Sequence, residues 1–422
     1  MKVELAYGAG VLTVDLPGER TTVINPNHLH AAADERACVL EMLRAPVAGP
    51  PLRELVQRGQ TVAIAICDGT RPQPRHVVVP AILEELDGII RLEDVVVLVA
   101  TGTHRGNTEE ELRAMLGDDV FASVRVINHD ARDESSLTWM GRFGDDVPVW
   151  LNTMWVEADV RIPTGFTEPH FFAGFSGGPK LVAPGLAGLE TTLVLHDAAH
   201  IAHPNARWGV IDGNPIHDDV RAISAGCPSD FAIDVLLDGE KRIARAFAGE
   251  LFAMHRAACA VAKESAMRAV PGRFDVVLTT NAGFPLDQNL YQAVKGMSAA
   301  AQVVESGGTI VCAAECRDGF PEHGSYRAEL TAAESPQALL DAIAARSETV
   351  PDQWQIQIQA RIQTQAHVVM HTSFLSDEAL AAAHLDQTDD IEATVGEALA
   401  AAGDGSRVCV LPYGPLTIPY AD

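Results

Sequence analysis

Thr61-Val62-Ala63-Ile64-Ala65-Ile66-Cys67, followed at once by Asp68-Gly69-Thr70-Arg71-Pro72, is an apolar run without polar alternation that stops at a Gly/Pro turn. A strand wetted on one face alternates apolar and polar residues, so a run that does not alternate is buried on both faces, as in a parallel sheet covered by helices. The pattern recurs outward along the chain: residues 94–100 ahead of Thr101-Gly102-Thr103-His104-Arg105, residues 158–163, and residues 308–313. Helix-period segments separate these runs. The expected fold class is therefore α/β, two doubly wound domains with largely parallel sheets.

The chain has 422 residues, and roughly 100–200 residues per domain gives two or three domains. Ala-rich residues 251–269 read as a helix stopped by Pro271-Gly272, and residues 274–280 start a new strand. This places the boundary near residue 270, with an N-terminal domain of 1–270 and a C-terminal domain of 271–422. The second half continues with a helix over 289–304, the strand 308–313, a helix over 336–345 and a strand over 366–370. Helices over 378–383 and 391–401 and a strand over 407–411 complete it. Residues 354–365 alternate Ile with Gln and fit either strand or helix. In such sheets ligands sit beyond the carboxyl ends of the strands, so the residues just after each strand should carry the chemistry.

Lys plus Arg number 31 against 57 Asp plus Glu, a net of −26. That excess argues against nucleic acid and against an anionic membrane surface, and it requires a local Arg/Lys cluster for any anionic ligand. No run approaches 18 apolar residues, and Met1-Lys2-Val3-Glu4 lacks a secretion pattern, so a cytoplasmic protein is expected. Seven scattered cysteines without a CxxC pair read as buried thiols rather than disulfides or a zinc ribbon.

Strand ends carry the chemistry. Three of them present Asp68 and Arg71, then His104 and Arg105, then Glu168-Pro169-His170 running on to Gly174-Phe175-Ser176-Gly177-Gly178-Pro179-Lys180. Singly, each has an ordinary explanation, such as a helix cap for Asp68; together they concentrate acid, base and cation on one edge. Seven of the fifteen histidines fall between residues 104 and 217. On a helix from Leu186, His196 and His200 would share a face one turn apart, as metal ligands or as ordinary helix histidines. The Gly177-Gly178-Pro179-Lys180 segment is not a Walker loop, because Leu181 follows the lysine. Its glycines would let backbone approach a phosphate or a flat ring, with Lys180 as counter-charge or nucleophile, or it is a tight turn with a solvated lysine.

These motifs, with His203-Pro204-Asn205-Ala206-Arg207, Gly213-Asn214-Pro215-Ile216-His217, and Gln292, Lys295 and Trp354, resemble the nickel-dependent lactate racemase family across nearly the whole chain. The resemblance implies a racemase or epimerase of a 2-hydroxy acid that holds a nickel-pincer nucleotide, a pyridinium mononucleotide binding Ni through one carbon and two sulfurs. It implies a thioamide link at Lys180 beside Gly177 and Gly178, nickel coordination by His196, and His104 and His170 as alternating bases. Arg71 and Lys295 would hold the substrate carboxylate, Asp68 would support that edge, and Tyr291, Gln292 and Trp354 would line the site; because Arg71 and Lys295 fall in different expected domains, the resemblance implies an active site in the interdomain cleft. Proteins that make the cofactor are the implied partners. The family commonly has Arg where this chain has Pro179, which puts any contact made through that residue in doubt. No role is assigned to His200 or His203 beyond orienting His196 or its loop.

The implied chemistry is physically coherent. The C2 proton of a 2-hydroxy acid is very weakly acidic, whereas hydride removal coupled to hydroxyl deprotonation gives a 2-keto acid open on both faces, and hydride needs a cofactor. Two other classes compete: a zinc or iron hydrolase or lyase using His104, His170 and His196 as ligands, and a non-catalytic binder of the cofactor or of an organic anion.

Overall fold

The computed structural model describes residues 1–321 and 324–421. The chain forms two compact units, one of His28–His196 with His203–Ser265, the other of Met1–Asn27, Asp197–Ala202 and the chain from Ala266 onward. Among the described residues no helix is long and apolar enough to cross a membrane.

In the first unit six strands lie in the order Ile243–Gly249, Ala232–Leu237, Val160–Phe166, Val62–Cys67, Val95–Ala100, Arg125–Asn128. Neighbours run parallel except Ile243–Gly249, which is antiparallel to Ala232–Leu237. In chain order this is the 3-2-1-4-5-6 arrangement of doubly wound sheets. All six residues of Val62–Cys67 are buried, and the reason for the missing alternation is visible. Val62, Ile64 and Ile66 enter one core with Val78, Val79 and Ile82 of helix Arg75–Leu86. The intervening Ala63 and Ala65 enter a second core with Leu98, Val149, Leu151 and Trp155. Each fully buried Ile or Leu contributes about 1.5–3 kcal/mol. The chain order reverses between Val62–Cys67 and Val160–Phe166, so the carboxyl ends of these strands open a crevice.

The second unit carries its own six-stranded parallel sheet, ordered Asp386–Gln387, His367–His371, Val304–Ala313, Phe274–Thr280, Val408–Leu411, Thr21–Val23. Its outer strand comes from the extreme N-terminal part of the chain. Thr21, Thr22 and Val23 pair with Val408, Cys409 and Val410, and the hairpin of Lys2–Tyr7 and Gly10–Asp15 packs Val3, Leu5 and Val14 against Val276, Leu278 and Val311. Residues 1–27 therefore build the unit that holds the C-terminal half, and not the N-terminal domain in which the sequence expectation placed them.

Two local expectations change. The helix expected over 251–269 ends at Ala266, and Met267–Val270 is instead a strand parallel to Ile418–Ala421. The ambiguous stretch is the helix Gln353–Gln365. Two of its polar side chains find backbone acceptors, Gln357 Nε2 donating to Ala198 O (2.8 Å) and Arg361 Nη1 to Ile201 O (2.7 Å), while Gln357 Oε1 is buried without a partner among the described residues. The cysteines are all free thiols, six of them buried.

Candidate active site

The crevice of the first unit is built from the turns that follow its strands. Asp68, directly after Val62–Cys67, is buried. Its Oδ2 lies 2.7 Å from His104 Nδ1, and its Oδ1 accepts the Thr70 hydroxyl at 2.6 Å and the Thr70 N–H at 3.2 Å. Burial pushes the Asp68 carboxyl up, but the hydrogen bond and charge of His104, the Thr70 hydroxyl and the Arg71 charge together hold it below the usual carboxylate range. His104 reaches this carboxylate because Thr101 makes a tight turn after Val95–Ala100: the His104 N–H donates to Thr101 O (3.0 Å), and the Thr101 hydroxyl donates to His129 O (2.6 Å). The His104 side chain is half exposed.

Arg75 fixes the Asp68–Pro72 turn. Its buried guanidinium donates to Cys67 O (2.8 Å), Gln73 O (3.0 Å) and Arg71 O (2.8 Å), and also to Asp68 O. Gln73 ties the two strands of the switch point, accepting from Cys67 N (2.9 Å) and donating to Thr164 Oγ1 (2.9 Å). Arg71 stands at the crest of this turn, its N–H donating to Asp68 O at 3.1 Å.

The third turn begins as a two-residue pairing of Pro169–His170 with Gly174–Phe175. His170 Nδ1 accepts the Ala173 N–H at 3.3 Å. Phe172 is the common neighbour of the candidate groups. It meets His170 edge-to-face at 4.5 Å and His196 edge-to-face at 5.3 Å, and Lys180 Nζ lies 5.6 Å from its ring centroid. Sequence reading passed over Phe172 and Arg75, the one because it looks like core and the other because a second Arg at a helix start looks solvated.

Gly177 and Gly178 have φ of 73° and 50°, and both are required from the protein side. A Cβ on Gly177 would lie 2.2 Å from Asp234 Oδ2, and one on Gly178 would lie 2.4 Å from His255 Cγ. Asp234 Oδ2 accepts the Gly178 N–H and the Thr167 hydroxyl, each at 2.7 Å. His255 Nε2 donates to Ser176 O at 2.9 Å. This buried Asp–His floor presents Lys180 on the turn Gly178–Leu181. Behind it His217 stacks on His255 at 5.5 Å, and its Nδ1 has no hydrogen-bond partner among the described residues. Burial above all, with the neighbouring His255, Arg221 and Lys180 adding to it, pushes His217 down to about 3.

His196 and His200 do not share a helix as expected. Helix Leu189–Leu195 ends with His196 as its cap, and the Asp197 carboxylate accepts the His200 N–H at 2.8 Å, starting a new helix, Ala198–Ala202. His196 Nδ1 is 2.7 Å from Thr192 O, while His200 Nδ1 is bonded to Asp197 at 2.8 Å. Among the described residues no three His, Cys, Asp or Glu side chains gather so that they could hold a metal ion. The three-histidine hydrolase reading therefore lacks its ligand geometry.

In the second unit, the helix Leu290–Ala301 brings Tyr291, Gln292 and Lys295 together, with Asn289 capping its start by accepting the Gln292 N–H at 3.1 Å. Lys295 Nζ donates to Gln292 Oε1 (2.8 Å), and Trp354 Nε1 donates to the Tyr291 hydroxyl (3.2 Å). These four expected site residues thus form two hydrogen-bonded pairs, each with a member on this helix.

The lactate racemase N-terminal domain model matches residues 7–209 and the lactate racemase C-terminal domain model matches residues 270–418. The chain is 35% identical to a lactate racemase of Thermoanaerobacterium thermosaccharolyticum over 418 residues, 98% of this chain and 97% of that protein. It is 34% identical to a lactate racemase of Lactiplantibacillus plantarum over 98% of each. The structure of the lactate racemase apoprotein from T. thermosaccharolyticum superposes with a TM-score of 0.92 at 34% identity, covering 99% of this chain and 100% of that one. A Thermotoga maritima protein at 19% identity and a TM-score of 0.68, over 92% of this chain and 98% of its own, shares the fold. Strand-end chemistry, fold and full-length similarity agree: the chain belongs to the lactate racemase family and is an isomerase, a racemase.

Proposed function

We propose that the enzyme inverts C2 of a small 2-hydroxy acid, lactate being the first substrate to test, with His104 and His170 as the bases that exchange the hydroxyl proton. The observation that carries this reading is the pair of histidines in one unit, one on the Asp68 carboxylate at 2.7 Å and one edge-on to Phe172, beside Lys180 and His196. The residues fit a nickel-pincer nucleotide. His196 donates Nδ1–H to the Thr192 carbonyl, so in the neutral ring the lone pair is on Nε2, the form a metal takes. Lys180 supplies an amine at the edge of a turn whose backbone is held by Asp234. Bound there through Lys180 and His196, the cofactor would supply the hydride acceptor and donor that no side chain provides.

The chain's own groups do the rest. Arg71 offers the planar fork that binds a carboxylate bidentately, and Lys295 is assigned a second point charge for the same group, held by Gln292. Asp68 fixes the His104 ring and compensates the charge it gains on taking the hydroxyl proton, as an acceptor on the far nitrogen of a catalytic imidazole does. Phe172 keeps His170, His196 and Lys180 in a fixed relation. A 2-keto acid formed at C2 presents either face for the return. Because all of this needs the loaded enzyme, the proteins that make the cofactor are the proposed partners.

The test is a panel of 2-hydroxy acids assayed for racemisation with protein co-produced with the cofactor pathway, alongside intact mass and nickel analysis. An added mass on the Lys180 peptide with inversion of at least one acid is the expected result. A protein with neither nickel nor added mass would refute the cofactor assignment.

A further inference from the structure

We infer that the two candidate bases are inequivalent at rest: His104 offers a lone pair at Nε2, whereas His170 offers an N–H there. This rests on the racemase reading for its consequence, but on hydrogen bonds alone for its premise. Asp68 Oδ1 already accepts both the hydroxyl and the N–H of Thr70, and Oδ2 faces His104 Nδ1 at 2.7 Å. A carboxylate so placed only accepts, so the hydrogen of the neutral His104 ring is on Nδ1 and the lone pair is on Nε2. At His170 the situation is reversed. The Ala173 amide only donates, and it points at Nδ1 from 3.3 Å. Nδ1 must carry the lone pair, and the ring hydrogen is on Nε2. The sequence offers no hint of this, because one partner is a backbone amide.

The consequence is directional. A substrate whose hydroxyl lies at His104 can pass its proton at once: the O–H bond breaks, an N–H bond forms at Nε2, and the positive ring faces the Asp68 carboxylate. The mirror-image substrate meets the N–H of His170, which donates to the hydroxyl oxygen and cannot accept its proton until the ring gives up the Ala173 bond and moves its hydrogen to Nδ1. For mirror-image substrates the equilibrium constant is one, so kcat/KM is equal in the two directions. The inequality must appear in kcat and KM separately, both lower for the enantiomer served by His170. One hydrogen bond forfeited corresponds to roughly two- to twelve-fold.

The experiment is long-range 1H–15N correlation of the 15N-histidine-labelled full chain without cofactor or substrate, with His104→Gln and His170→Gln identifying the two rings by loss of signal. The expected spectra show the Nδ1–H tautomer at His104 and the Nε2–H tautomer at His170; the same tautomer in both rings overturns the inference. Asp68→Ala should move His104 towards the Nε2–H form and leave His170 unchanged, and retention of Nδ1–H at His104 would show that Asp68 is not its cause. With loaded enzyme, kcat and KM should each differ between enantiomers by the same few-fold factor; equal kcat values contradict the inference while leaving racemisation itself intact.

Discussion

Replacing Asp234 by Asn keeps the shape of the side chain and removes one acceptor from the floor beneath Lys180. Three donors converge on the carboxylate: the Thr167 hydroxyl and Gly178 N–H on Oδ2, each at 2.7 Å, and the Gly165 N–H. If the amide oxygen takes the place of Oδ2, its NH2 faces the Gly165 N–H and one buried donor is left unmade, at a cost of about 1–3 kcal/mol. The opposite orientation strands two donors and is worse. For a unit of this size that cost lowers the thermal midpoint by about 2–12 °C. Asp234→Ala strands all three donors and should melt lower still. The assay is thermal unfolding of the cofactor-free chain by circular dichroism, with intact mass of co-produced protein reporting how much Lys180 is modified. The expected order of stability is wild type, then Asn, then Ala, with modification falling in the same order. An Ala variant that melts with wild type and loads fully would show that the carboxylate does not hold this turn.

Other consequences are as direct. His217, pushed down to about 3 in the fold, has an ordinary value near 6.5 when unfolded. The unfolded chain therefore takes the proton first, and the stability present above pH 6.5 is lost as pH falls, at up to about 1.4 kcal/mol per unit from this ring. Urea midpoints at pH 7 and pH 5 should converge in His217→Gln, and an unchanged difference would speak against it. Arg71→Lys keeps the charge and loses the fork, so KM for the 2-hydroxy acid should rise by about ten-fold or more with the fold intact; unchanged KM would remove Arg71 from carboxylate binding. Gly177→Ala places a methyl against Asp234 at a φ of 73°. Backbone strain of about 1–2 kcal/mol adds to an overpacking cost of about 1–3 kcal/mol, and an unaltered melting curve would contradict the packing described.

What the sequence made legible follows from locality. Val62–Cys67 and its turn could be read because burial on both faces leaves a local trace, and because a parallel sheet sends its chemistry to strand ends. Asp68, His104, His170 and Lys180 were singled out as candidates this way, and all four lie in one unit. The break between His196 and His200 was not legible, because Asp197 is equally at home inside a helical stretch and at the start of a new one; only its bond to His200 N decides. Asp234 and His255 were missed because their partners, the glycines before Lys180, lie more than fifty residues earlier in the chain. The membership of residues 1–27 was missed for the same reason, since a three-residue strand carries no signal of a partner at Val408.

That pairing has a consequence for how the protein is made. Thr21–Val23 is synthesised about 385 residues before its partner Val408–Val410. At roughly 5–20 residues per second the strand and its hairpin wait roughly 20–80 s for the sheet they complete. Meanwhile the whole of His28–His196 and His203–Ser265 is synthesised between them and can fold with all its own strands in hand. Biosynthesis is thus ordered: the unit carrying Lys180 can form while the chain is still growing, and the unit carrying Lys295 closes its sheet only once Val408–Val410 has been made. A nascent chain stalled before residue 408 should show a protease-resistant first unit with its N-terminal 27 residues still open to cleavage.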